Sequence, residues 1–294
     1  MAKQLLGLPV ANALSEQCIQ EVTALGKRGV RPCLAIVRVG ERPDDLSYER
    51  AALKRCEKVG VEVRRFVLPA SCAQDDLLST IRTVNEDESI HGCLMFRPLP
   101  ATLDEKAACA ALDPAKDVDG ITQGSLYGVF ANAPVGFAPC TAEAVIRMLD
   151  HYGYELEGAN IVVVGRSLVI GKPVSMLLQA RNATVTMCHT RTRDLAGVCR
   201  AADILVVAAG HVATIRGDAV TSGQVVVDVG VNWDEDCGKL VGDVAYDQVE
   251  LRVAAITPVP RGVGSITTAV LVKHVIEAAT RQVDEGYVTF ETSH

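Results

Sequence analysis

The sequence predicts an α/β protein of two domains. Three observations carry that expectation: short β-branched runs alternate with helix-period segments, four nearly continuous apolar runs fill the second half, and 294 residues leave room for a second domain. Strands separated by helices imply right-handed crossovers and a parallel sheet. Continuous apolar runs suit strands covered on both faces.

The elements follow in order. Val10, Leu14, Cys18, Val22 and Leu25 recur at three- and four-residue spacing, so the spacing predicts a helix over 10–25. The segment 26–32 breaks it, and 33–40 (CLAIVRVG) reads as a strand. A helix is expected over 46–59, a strand over 61–68, a helix over 75–85, and a strand over 92–96 that Pro98 and Pro100 terminate. The Gly- and Pro-rich stretch 113–139 reads as a long connection lining a cleft between domains, and the boundary is placed there. A helix over 142–150 then precedes strands at 161–165, 184–188, 204–209 and 225–229. The final helix, 267 to about 282, is expected to return to the first domain. The first domain is therefore drawn as 1–139 plus 267–294, and the second as 140–266.

Composition excludes several classes. A net charge of −7 disfavours a nucleic-acid surface, which relies on clustered Lys and Arg. No segment approaches the roughly 18 uninterrupted apolar residues of a membrane span. The N-terminus lacks the pattern of a secretory signal, so a cytoplasmic location is expected. Ten cysteines show no CxxC pair and no zinc spacing, which predicts reduced, buried thiols and no metal site.

The stretch IVVVGRSLVIGKP, 161–173, is a strand, a glycine-bearing turn and a helix start marked by Pro173. Such a turn lets the backbone approach a pyrophosphate at a helix N-terminus, which makes Gly165 and Gly171 the expected contact points; Arg166 and Ser167 of the same turn complete the candidate cofactor residues. The spacing is not GxGxxG, so an ordinary strand-to-helix turn remains open. The next strand ends in His189, Thr190 and Arg191, with the first acid only at Asp194. An NAD site usually has an acid at that end to hold the ribose hydroxyl. Here Arg166 and Arg191 instead suit a 2′-phosphate, and NADP is the expected cofactor.

Further segments carry a resemblance: VRVGERPDDLSYERAALKRCEKVG (37–60), DPAKDVDGIT (113–122), APCTAEAV (138–145), GRSLVIGKP (165–173), VVVDVGVN (225–232), VGDV (241–244) and TPVPRGVGSIT (257–267). In this order they resemble the methylenetetrahydrofolate dehydrogenase/methenyltetrahydrofolate cyclohydrolase family, from the first helix almost to the C-terminus. The resemblance implies an N-terminal folate-side domain, a Rossmann-like NADP domain, a cleft between them and a homodimer. It assigns Tyr48 to the family's catalytic Tyr-x-x-x-Lys element and Asp119 to the aspartate that holds the pterin. Ala52 stands at the family's lysine position, Phe96 at its glutamine, and Arg261, after Pro260, at the first glycine of its PGGVGP turn. Lys54 and Arg50 lie about 200° around a helix from position 52, and Arg55 cannot act as a base.

These departures bear unequally on two reactions. Hydride loss from a methylene bridge needs no general base, whereas hydrolysis of the methenyl cation needs an activated water. The expected function is an NADP-linked dehydrogenase with little or no cyclohydrolase activity. Phe96 is expected to stack on the folate, and Arg261 or Arg97 to meet a glutamyl carboxylate. Three alternatives stay open: a non-catalytic binding homologue, an NADP enzyme for another reduced substrate, and a full bifunctional enzyme drawing a lysine from elsewhere.

Overall fold

The structure is a computed structural model and describes residues 1–235 and 238–291, with side chains up to residue 284. In chain order its elements are β1 (Lys3–Gln4), α1 (Gly7–Lys27), β2 (Cys33–Val39), α2 (Pro43–Val59), β3 (Glu62–Leu68), α3 (Gln74–Glu86), β4 (Gly92–Met95), α4 (Glu105–Ala111), α5 (Gln123–Ala131) and α6 (Cys140–His151). There follow β5 (Asn160–Val164), α7 (Gly171–Ala180), β6 (Thr184–Cys188), α8 (Leu195–Arg200), β7 (Ile204–Val207), β8 (Val225–Asp228), β9 (Asn232–Asp234), β10 (Lys239–Val241), α9 (Tyr246–Val249), β11 (Ala255–Ile256) and α10 (Thr267–Glu291). The chain divides into two compact units. One joins Met1–Asn12 to Thr141–Thr267, and the other joins Ala13–Cys140 to the chain from Thr268 onward.

The unit holding residues 13–140 is built on a parallel three-stranded sheet in the order β3-β2-β4. The connections run outward from β2 to β3 and then back across it to β4, so right-handed crossovers put their helices on opposite faces. Cys33, Ala35, Val37 and Val39 of β2 pack with Leu77, Ile81 and Val84 of α3 and with Ala108 of α4. The opposite face carries Arg38, which is buried and ion-paired to Glu49 of α2 at 2.8 Å. Arg65 of β3 binds the other oxygen of the same carboxylate. Helix α10 returns to this unit, as the sequence predicts. Its Lys273 pairs with Glu21 of α1 at 2.6 Å, and Val275 lies against the glycine that opens β4.

The other unit has six parallel strands ordered β1-β11-β8-β7-β5-β6. The order reverses between β5 and β7, where β6 lies on one side and the remaining strands on the other. Val162, Leu205, Val226 and Ile256 line one sheet face and pack on Cys199 of α8 and Val249 of α9.

Three expectations change. The stretch 113–139 is not a bare connection: it contains a 3₁₀ turn, Pro114–Lys116, and α5. Helix α5 exposes Tyr127 and Phe130, so it lacks the one-sided apolar pattern that marks a surface helix. Its start is set by Thr122, whose hydroxyl accepts the Ser125 N–H. Residues 1–12, drawn with the first domain, group instead with the six-stranded unit, because β1 adds to β11. Two residues are too few to show a period-2 pattern. The final helix also continues beyond residue 282 to Glu291.

Among the described residues no helix is long and apolar enough to cross a membrane. The nine described cysteines are free thiols, all buried except the half-buried Cys109, and Cys237 lies outside the described residues.

Lys116 shows how tightly the first-described unit is fastened. Its buried ammonium donates to the carbonyls of Val84, Asn85 and Asp87, each at 2.8 Å, and so closes the C-terminus of α3. Lys116→Met keeps the stem but leaves these carbonyls without that donor. It should lower the unfolding free energy by about 2 kcal/mol, read as a shifted urea midpoint at unchanged slope.

Candidate functional site

Helix α2 begins at Pro43 and is capped after Val59 by Gly60, which takes φ +89°. Asp45, Glu49, Ala52 and Cys56 form its buried face. Tyr48 sits beside this face, half-buried, and its ring meets Phe96 edge-on with centroids 5.9 Å apart. Phe96 is held at the end of β4, where its N–H donates to the Val37 carbonyl. Ala52 is fully buried. Arg50 and Lys54 are exposed, as a half-turn offset from Ala52 requires, and Arg55 donates to the Ser15 hydroxyl at 2.9 Å. The structure thus brings Tyr48 and Phe96 together and leaves position 52 without a cation from α2. Arg97 pairs with Glu105 at 3.6 Å.

The motif 113–122 explains itself residue by residue. Asp113 caps the 3₁₀ turn through the Ala115 N–H. Asp117 accepts from the N–H groups of Ile121 and Thr122 and from the Ser125 hydroxyl, which fixes the start of α5. Gly120 has φ +68°, and a Cβ there would lie 2.4 Å from the Pro139 nitrogen. With its neighbours committed to the backbone, Asp119 is the carboxyl left for other work. Burial and the charge of Asp117 push it up to about 6, while a Cys140 thiol hydrogen bond and the charges of Arg97 and His274 pull it down. His274 itself is buried, with Nδ1 2.8 Å from the Val118 carbonyl oxygen and its ring 4.9 Å from that of Phe137.

In the six-stranded unit, β5 is followed by Gly165, which takes φ +136°. A Cβ on Gly165 would lie 2.1 Å from the Ala208 carbonyl oxygen, and one on Gly171 would lie 2.4 Å from the Gly165 oxygen. The Ser167 hydroxyl accepts from Ile170 N–H and closes the turn into α7, which starts at Gly171, two residues before the expected Pro173. A cavity of about 220 Å³ opens here. Gly165, Arg166, Ser167, His189 and Thr190 line it; Gly171 and Arg191 do not. Arg166 and Arg191 are exposed and have no ion-pair partner among the described residues. The Asp194 carboxylate is engaged as the cap of α8, accepting from Gly197 N–H. His189 Nδ1 accepts from Arg191 N–H, which leaves Nε2 to carry the proton of the neutral ring.

Sequence reasoning missed the opposite wall of this cavity, formed by Ala208, Ala209, His211 and Thr214. The signal was present in the strand pattern, since these residues follow β7, the strand beside β5 at the reversal of order. Pro260 and Arg261 are exposed. Arg261 takes φ +85°, a conformation natural to glycine and costly for other residues by about 1 kcal/mol or more. Among the described residues no group of three His, Cys, Asp or Glu side chains is placed to hold a metal.

A parallel sheet with a glycine turn and cavity at its order reversal defines a dinucleotide-binding α/β protein. Comparison with known families sharpens that class. Residues 5–119 match the catalytic domain of tetrahydrofolate dehydrogenase/cyclohydrolase, and residues 139–283 match its NAD(P)-binding domain. The chain belongs to this family. It is 50% identical over 279 residues to the bifunctional protein FolD of Carboxydothermus hydrogenoformans, covering 95% of this chain and 97% of that protein. Among solved structures it resembles the bifunctional FolD dehydrogenase/cyclohydrolase of Campylobacter jejuni, with a TM-score of 0.91, 35% identity, and 96% and 99% of the two chains covered. It also resembles the Trypanosoma brucei dehydrogenase-cyclohydrolase solved with NADP and an inhibitor, with a TM-score of 0.88, 36% identity, and 96% and 98% covered.

Asp119 yields a pH test. Its carboxyl lies above the ordinary aspartate value of 3.8, so the folded chain keeps the proton to higher pH than the unfolded one. The resulting stabilisation is full below that ordinary value and is lost as pH rises through about 6. Asp119→Asn should therefore flatten the decline in thermal midpoint between about pH 4 and pH 7. Identical slopes in the two proteins would assign the titration elsewhere.

Proposed function

We propose that this chain is an NADP-linked 5,10-methylenetetrahydrofolate dehydrogenase with little or no cyclohydrolase activity. The observation that carries the reading is Ala52: it is fully buried, at the turn of α2 where the family resemblance expects an amine. NADP supplies the hydride acceptor when bound. Loss of hydride from the methylene carbon leaves a resonance-stabilised methenyl cation, so no residue need remove a proton. The chain's task in that step is to hold the substrate. Asp119, ionised, can accept two hydrogen bonds from an aminopyrimidinone edge, and Tyr48 and Phe96 offer an aromatic corner beside it in the proposal. Arg261 is proposed to meet a glutamyl carboxylate, with Pro260 before it shaping the turn; its strained backbone is tolerated for that side chain.

Hydrolysis differs because a water must be activated and protons moved. Arg50 and Lys54 are exposed on the other side of α2, Arg55 is tied to Ser15, and a guanidinium stays protonated. Phe96 has no polar atom to orient water. The second reading is the full bifunctional enzyme, favoured by the bifunctional FolD relatives at 50% and 35% identity. A non-catalytic binding homologue is the third. The intact cofactor turn, with Gly165, Arg166, Ser167 and Gly171, speaks against a decayed pocket.

For the cofactor, the proposed contacts are that turn together with His189, Thr190 and Arg191. The fit rests on the two glycines, where any side chain would fill the cradle, and on free guanidiniums beside an acid already engaged in capping. The family resemblance further supports a homodimer.

Purified protein given methylenetetrahydrofolate and NADP should form NADPH and accumulate the methenyl product, followed by absorbance of both species in one assay. Rapid conversion to the formyl product selects the bifunctional reading, and absence of turnover despite folate binding removes the dehydrogenase. Separately, NADP should bind about tenfold or more tightly than NAD, and Arg166→Gln with Arg191→Gln should narrow that gap, measured by calorimetry. Equal affinities in the wild type would end the argument for a 2′-phosphate site.

A further inference from the structure

Two carboxylates in the six-stranded unit take no part in the proposed chemistry, yet both are buried at the carboxyl ends of its strands. Asp228 ends β8, and Asp243 follows β10. Asp228 accepts from the backbone N–H groups of Gly230, Asp243 and Val244, each at 3.0 Å. Its own N–H donates to the Thr257 hydroxyl at 2.7 Å, and that hydroxyl donates to the Asp228 carbonyl at 3.1 Å. Asp228 thereby fixes the backbone on which Asp243 stands.

Asp243 is fully buried and turns the other way. One carboxylate oxygen accepts from the N–H groups of Ala209 at 2.6 Å and Gly210 at 2.8 Å, and the other accepts from the Asn232 amide at 2.8 Å. The two acids are interlocked through glycines. A Cβ on Gly230 would lie 2.1 Å from the Asp243 carboxyl carbon, and one on Gly242 would lie 1.8 Å from an Asp228 oxygen. That close approach accounts for the motifs VVVDVGVN and VGDV, each of which supplies one acid and the glycine that admits the other.

We propose that Asp243 is a positioning residue for the dinucleotide cavity: its carboxylate clamps the backbone of residues 209 and 210 and so sets the wall that faces the Gly165 turn. Ala209 lines the cavity, and the preceding Ala208 carbonyl is the group that forbids a side chain on Gly165. Gly210 is exposed. A carboxylate that served the core alone would have no reason to hold an exposed amide at the rim of a cavity. Three N–H donors on a buried carboxylate, two of them in the wall, make the loop after β7 a fixed surface. Rigid walls bind because little ordering is left for the ligand to impose.

The inference rests on the reading of this unit as an NADP site, so the test separates the two. NADP binding is measured by titration without folate, and amide exchange is measured without any ligand. In the wild type, the Gly210 amide should exchange slowly despite its exposure; fast exchange there overturns the clamp before any variant is made. Asp243→Ala should accelerate exchange at Ala209 and Gly210 relative to amides of β5, and should weaken NADP binding by about tenfold or more. The exchanged pair Asn232→Asp with Asp243→Asn returns an oxygen to the clamp and a complementary partner beside it, and should restore affinity to within about threefold. A merely structural role predicts a lower thermal midpoint with unchanged affinity, and that result overturns the proposal, as does failure of the exchanged pair to rescue a folded protein. Should the wild type bind NADP with this sensitivity yet show no turnover, the dehydrogenase reading falls and the positioning role stands.

Discussion

The six-stranded unit depends on one close approach, that of the Gly165 backbone to the Ala208 carbonyl. Strands β5 and β7 are neighbours, and the strand order reverses between them. Their ends must diverge to leave a cavity, yet the two backbones first pass where no side chain fits. Glycine at 165, with φ +136°, satisfies both demands. The rest is arranged around that contact. Ser167 folds the turn into α7, Gly171 lets the helix start against it, and the loop after β7 is held from behind by Asp243.

Much of this was legible in the sequence, for physical reasons that differ along the chain. Buried parallel strands such as Val225–Asp228 must be apolar on both faces, so they stand out as continuous runs. The glycine turn at 165 was equally visible because its chemistry is local. What escaped was non-local or too short. The strand Lys3–Gln4 exists only because Ala255–Ile256 is there to pair with it. Helix α5 depends on Thr122 and Asp117 for its start and has no apolar stripe to announce it. The wall of residues 208–214 belongs to the cavity through strand order, which no window of sequence displays.

The motif around Asp119 carries a related lesson. Of the four ionisable residues in 113–119, Asp113, Lys116 and Asp117 are engaged in holding a turn, the end of α3 and the start of α5. A motif can be dense with charge and still commit most of its groups to the backbone. Asp119 is set apart from the other three by its engagement with the Cys140 thiol in place of a backbone group, a distinction that pattern alone does not display.

The carboxylate shared by Arg38 and Arg65 has a consequence for what α2 can admit at position 52. Glu49 and Ala52 lie on the same buried face, one turn apart. An ammonium placed at 52 would enter beside a buried acid that two guanidiniums already neutralise, adding a third cation to that cluster and a heavy desolvation cost. A single Ala52→Lys substitution would therefore burden the fold before it could serve any chemistry.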